Sequence, residues 1–285
     1  MRGRVGRATD GKSMDGVGTR LVRASCRSLL AAAVFAATVA MAGEPPCPDG
    51  RPMLPLVRGT SWVYRGRIET TVSKKGSGHV IRRQVTHTME VRAVERDGRA
   101  TVALLKGHPR DIPWSERRPP RGAYFLIQSS TGGVYLMREQ GGSALEHWRE
   151  TGELPDRHAM VLDRPLRVGR TFGGEELASQ RPDKWYQWHV EAARCVRVRG
   201  VPGVDPERLR REYRLAYRTN PADEIVYFVP GLGITRYVYR HHGTVADVDV
   251  RLVEFRSPHR ISRPPAVPAP SAVAPFPREL FFERG

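Results

Sequence analysis

Ile225-Val226-Tyr227-Phe228-Val229-Pro230-Gly231-Leu232-Gly233-Ile234 opens the stretch, running on to Phe255, whose reading decides the fold class. Its first five residues are β-branched or aromatic, types that fit a pleated, half-buried surface. Pro230 presets φ and the two glycines accept positive φ, so the chain reverses tightly. A second run, 234 to 241, follows at once. After Gly243 a third begins, in which Ala246, Val248, Val250 and Leu252 alternate with Asp247, Asp249 and Arg251. That period of two marks a strand with one wet face. Three runs joined by short turns make an antiparallel meander.

Upstream the same signals occur twice over. Pro55-Leu56-Val57-Arg58-Gly59-Thr60-Ser61-Trp62 returns 110 residues later as Pro165-Leu166-Arg167-Val168-Gly169-Arg170-Thr171-Phe172, matching at the proline, leucine, glycine, hydroxyl and aromatic positions. Phe125-Leu126-Ile127 through Gly133-Val134 then echoes Phe228-Val229 through Gly233-Ile234, 70 and 63 residues from the respective Pro-Leu starts. Two diverged copies of one β-rich unit are therefore expected, at 55–153 and 165–256.

In the first copy Trp62, Tyr64, Ile68, Thr70 and Val72 share one face, while Val63, Arg65, Arg67 and Glu69 share the other. Ile81, Val85, Met89, Val91 and Ala93 repeat the pattern, with His87 on their apolar face as a hydrogen-bonded core residue. Asp97-Gly98 joins that strand to 100–105 as a hairpin. Four prolines make 108–122 a loop, and 143–158 reads as irregular with one helical turn at 145–148. In the second copy Trp185 to Val190 starts a strand with Tyr186, Trp188 and Val190 on one face. Asp205-Pro206-Glu207 reads as a short helical turn leading into a strand of Tyr213, Leu215 and Tyr217. The predicted class is all-β with minor helix: antiparallel curved sheets or half-barrels from two diverged repeats, packed through Trp62, Tyr64, Trp188, Val248 and Val250.

The ends carry different information. Seven basic residues, an apolar run from Leu29 to Val39 and Ala40-Met41-Ala42 make 1–42 an export signal with cleavage before Gly43, and Met14 is an alternative start. That run is too short and alanine-rich to span a bilayer as a helix, and no later segment is apolar enough to span one. Removing 1–42 takes away seven basic and two acidic residues, leaving 40 against 28 and a net charge of +12. A surplus of that size favours salt-sensitive contact with anionic lipid headgroups or acidic polysaccharide. The arginines are scattered over polar strand positions, however, which is also how a solvated face reads. Nucleic acid is not an expected partner of an exported chain. Residues 43–54 form a proline-rich extended arm, and 257–285, with seven prolines before residue 278, a disordered tail.

Export also frames the cysteines. Cys26 leaves with the signal, so Cys47 and Cys195 are the mature thiols in an oxidising compartment, and a disulfide between them would pin the arm to the body. The alternative is a buried Cys195 with Cys47 free or paired to another molecule. Neither cysteine follows a lipobox.

Catalytic signatures are missing from the chain. G-x-S-x-G and H-E-x-x-H do not occur. Gly231-Leu232-Gly233 enters a strand and lacks the helix N-terminus a dinucleotide needs. His241-His242 point to opposite faces on a strand and would share an ion only from a turn, with no third ligand set by spacing. Asp247 and Asp249 do share a face, as paired catalytic carboxylates would, but in a regular strand they read as solvent-facing charges. No catalytic residue, cofactor or metal is assigned.

The duplicated Pro-Leu-x-x-Gly opening, the Trp62-x-Tyr64 strand and the Gly231-x-Gly233-Ile234 turn resemble uncharacterised exported bacterial β-rich proteins. Some of these are similar in architecture to half-barrel lipoprotein carriers of the LolA type. That resemblance implies a curved antiparallel sheet with an apolar concave face and a non-enzymatic role in handling an acyl chain or partner peptide. No ligand residue carries over, and this chain departs from the pattern in its missing lipobox, basic charge and proline-rich tail. The leading expectation is thus a periplasmic or secreted binding protein holding an apolar ligand or partner on a curved sheet. A basic envelope module that binds anionic glycan or lipid headgroups is the alternative, and a hydrolase the third class.

Overall fold

Alternation of apolar and polar side chains draws the chain into twelve strands and one α-helix among the residues described by this computed structural model: 47, 53–74, 77–113, 121–138, 143–174, 180–242 and 247–258. All lie within the compact unit Glu44–Gly285. The expected export signal, most of the expected arm and nearly all of the expected tail lie outside the described residues. The first half supplies β1 (Ser61–Lys74), β2 (Ser77–Arg96), β3 (Ala100–Lys106), β4 (Ala123–Ser129), β5 (Gly133–Arg138), α1 (Ser143–Thr151) and β6 (Met160–Asp163). Into the second half fall β7 (Thr171–Phe172), β8 (Trp188–Arg197), β9 (Leu209–Arg218), β10 (Ala222–Val229), β11 (Gly233–His241) and β12 (Asp247–Arg256).

These strands form one antiparallel sheet in the order β6-β5-β4-β3-β2-β1-β12-β11-β10-β9-β8-β7. The halves expected as separate curved sheets are thus two arcs of a single sheet. Their joint is the β1–β12 pair, in register from Ser61 opposite Arg256 to Glu69 opposite Asp247. Bulges at Val63/Tyr64, Val91/Ala93, Val134/Tyr135, Val190/Ala192 and Tyr227/Phe228 raise the local twist. Twist accumulated over twelve strands curls the sheet into a nearly closed barrel. The edge strands β6 and β7 meet without ladder pairing. Arg170 closes that seam by an ion pair to Asp163, and a Cβ on Gly173 would come within 2.5 Å of the Met160 carbonyl. β6 lies between the two expected units of 55–153 and 165–256, and its four residues are a protected edge.

Inward positions fill the barrel. Trp62, Tyr64 and Ile68 of β1, Trp188 and Val190 of β8, and Val248 and Val250 of β12 belong to one buried cluster. The Trp62 indole donates to the Leu232 carbonyl at 2.6 Å, tying β1 to the β10–β11 turn, where Gly231 and Gly233 both take positive φ. Both Pro-Leu openings end in the same contacts. Gly59 donates to Val91 and Val91 to Thr60, as Gly169 donates to Val190 and Val190 to Arg170, all at 2.8 or 2.9 Å.

Three local expectations need correction. Residues 143–158 hold a nine-residue helix, because Leu145 and Trp148, one turn apart, cover an outer apolar patch of Val102, Leu104, Phe125 and Ile127. No helical turn forms at 205–207; the Asp205 carboxylate accepts from the Glu207 amide at 3.0 Å, an Asx turn that satisfies the same groups without a helix. Tyr186 does not share the face of Trp188. Its φ is 61° and its amide donates to the Arg218 carbonyl, so the alternation starts only at Trp188.

Candidate functional site

Inside the barrel an apolar chamber of about 50 Å³ is walled by side chains such as Leu56, Met89, Leu126, Leu136, Leu215 and Val226. Residues 53–56 close one end: Met53 accepts from the Gly231 amide, and the Leu54 amide donates to the Gln128 side chain. His108, Arg110, Glu224 and Trp188 contribute the polar part of the wall.

That polar part is not legible in the sequence, where the prolines of 108–122 read only as loop. His108-Pro109-Arg110-Asp111 instead builds a single 3-10 turn. The His108 ring accepts from the Arg110 amide at 3.2 Å while the Asp111 carboxylate accepts from the His108 amide at 3.2 Å, the reciprocal capping box. Asp111 also accepts from Gly122 at 2.9 Å and the Tyr124 hydroxyl at 2.6 Å. Held from both sides, the turn aims Arg110 at β10. Its guanidinium makes paired bonds of 2.8 and 3.0 Å to Glu224 and lies 5.7 Å from the centre of the Trp188 ring. The His-Pro-x-Asp spacing is the one local signal for this turn; nothing in the sequence marks Glu224, 114 residues away, as the partner of Arg110.

Charge in this region is tightly held. Burial works against the Arg110 cation, but the Glu224 carboxylate outweighs it and keeps the pKa raised. Burial, helped by the Arg110 and His87 charges, holds the His108 imidazole well below its usual value, so it is neutral at pH 7. His87, on the inner face as its position predicted and 3% exposed, is lowered mainly by burial, against the pull of Asp111 and of a hydrogen bond to the His108 backbone. Its Nε2 and the hydroxyl of its cross-strand partner Tyr64 are buried without a partner among the described residues.

Elsewhere the predicted candidates separate. Cys47 and Cys195 are joined by a disulfide with Cα atoms 5.9 Å apart. His241 ends β11 and His242 follows it exposed, and among the described residues no group of three or more His, Cys, Asp or Glu is placed to hold a metal. Asp247 accepts from the His241 amide at 3.1 Å. Asp249 takes paired bonds of 2.9 and 2.6 Å from Arg236, and these hold its carboxyl below the usual range. The two aspartates are thus engaged separately. No helix among the described residues is long and apolar enough to cross a membrane.

No protein-family profile matches the chain, and no curated protein does. Two solved structures are similar to it. One is a Bacteroides fragilis protein assigned as exported with a YMCC-like fold, 10% identical over 72% of this chain and 99% of its own, with a TM-score of 0.32. Another, assigned as a lipoprotein of Parabacteroides distasonis, is 13% identical over 73% of this chain and 100% of its own, with a TM-score of 0.30.

Proposed function

We propose that this is an exported, non-enzymatic binding protein of the bacterial envelope that takes a small apolar group into the barrel. The apolar chamber with Arg110 and Glu224 on its wall carries the reading. A cavity of about 150 Å³ lined by aliphatic side chains stays dry and admits benzene. At about 50 Å³ this one is matched to something smaller, such as the end of an aliphatic chain, with a polar terminus meeting the ion pair. The broad concave surface of an open half-barrel is consumed here by the barrel core, so the ligand is narrower than the resemblance implied. Export is supported by the basic leader and Ala40-Met41-Ala42; N-terminal sequencing of the secreted chain should begin at Gly43. The matching backbone contacts of the two Pro-Leu openings support descent of both halves from one unit.

Native mass spectrometry of protein released from its own host tests the reading. Wild type should carry an added mass that organic extraction removes. Leu136→Phe, which fills the chamber, should keep its circular dichroism and lose that mass. A wild-type chain with no adduct overturns the proposal.

A further inference from the structure

The outer wall presents a second feature, independent of the chamber. Register places Arg65 of β1 opposite Arg251 of β12, and Arg251 opposite Arg236 of β11. Three guanidinium side chains therefore stand in one cross-strand row on the solvent face. Like charges directly opposite each other destabilise a sheet pair. The chain approach at this point is close: a Cβ on Gly66 would lie 2.0 Å from the Asp249 carbonyl. Arg67, one position along on the same face, pairs across the joint with Asp249 and on its other side with Gln84.

Acidic residues do not balance this cluster. Asp249, the one carboxylate lining the cleft among the described residues, is taken by the paired bonds from Arg236, and Arg67 lies 3.6 Å from Glu69. Farther along the row, Arg194 is held by Glu212 and Arg214 by Glu191. Arg65 and Arg251 are exposed and form no ion pair among the described residues. Together with Arg67 and Gln84 they line an open cleft of about 230 Å³.

We propose that this cleft is an anion site for a phosphate group, held between Arg65 and Arg251 with Arg67 and Gln84 beside it. Each planar guanidinium offers two parallel N–H groups to an oxyanion. Two such forks and an amide saturate the oxygens of a phosphate, whereas a carboxylate has only two oxygens to share among them. Binding converts the repulsion across the β1–β12 joint into a bridge. The phosphate comes from a lipid headgroup or from a soluble phosphate compound, and the experiment separates the two.

Two probes are used with the mature chain: inorganic phosphate in a thermal-shift titration, and sedimentation with phosphatidylcholine vesicles with or without phosphatidylglycerol. Phosphate should raise the melting temperature, and that rise should vanish in Arg65→Gln/Arg251→Gln. Selective sedimentation with the phosphatidylglycerol vesicles, weakened at least ten-fold in the double variant, identifies a headgroup; a thermal shift without sedimentation identifies a soluble phosphate. Arg58→Gln/Arg240→Gln removes two exposed arginines from outside the cluster and should leave both readouts unchanged. Without anion the cluster variant should melt no lower than wild type, since it removes a like-charge pair, so its loss of binding is not a folding defect. The proposal is overturned if neither probe binds, if the cluster variant binds like wild type, or if the control variant loses as much.

Discussion

Trp62 shows how much one residue can carry. It is fully buried, its indole N–H is satisfied by Leu232, and its ring lies 5.8 Å from that of Phe255 across the β1–β12 joint. Trp62→Ala should cost about 3–5 kcal/mol, read as a shift in the urea midpoint at constant slope; a loss below about 1 kcal/mol would show that the indole is not held in the core. His87 and His108 set the response to pH. Both have folded pKa values below the unfolded one, so the unfolded chain takes up their protons first as pH falls. Stability is therefore complete above the unfolded value of about 6.5 and declines below it, by at most about 1.4 kcal/mol per pH unit for each histidine. The charged side chains that face them are Asp111, Arg110 and Arg121. In His87→Gln/His108→Asn the slope of stability against pH between 5 and 6.5 should flatten; an unchanged slope assigns the acid sensitivity elsewhere.

At the scale of elements, α1 and the 108–111 turn flank the sheet from opposite sides. The helix covers outer apolar residues that a barrel wall would otherwise leave in water, and Arg149 fastens it to Glu95 of β2 at 3.0 Å. Trp148, beneath Arg99, is its main contact. Trp148→Ala should cost about 3 kcal/mol and speed amide exchange in α1 while β8–β12 keep their protection. Exchange that rises equally in every strand would mean that the helix is part of the global core. The inner turn has the opposite character: it brings a charge inward and needs Glu224 to stay there. Both elements lie in segments whose periodicity is weak, and this is why reading them from sequence fell short. A nine-residue helix is marginal alone and exists through its contact face.

For the whole molecule, the disulfide is the longest covalent constraint. It closes a loop with a sequence separation of 148, for which chain-entropy reasoning gives about 5 kcal/mol of destabilisation of the unfolded state. Reduction, or Cys47→Ser/Cys195→Ser, should lower the melting temperature by several degrees without changing the far-ultraviolet spectrum. Equal melting of oxidised and reduced protein would show that the 53–56 segment is held by its packing and hydrogen bonds alone.

Period-two alternation was enough to determine the class of structure, the strands of the second meander and the inward residues Trp62, Tyr64, Ile68, His87, Val248 and Val250, because a strand's two faces are a local property of successive residues. The turn glycines 231 and 233 were legible for the same reason: their φ is set within the turn itself. Joining two arcs into one barrel was not, since it depends on the register of β1 with β12, strands from opposite ends of the sheet-forming sequence. Nor was the meeting of Arg110 with Glu224, or of Arg65 with Arg251, visible in residue order. Each pair is made by sheet closure and strand register, and only the folded chain brings those charges within reach of one another.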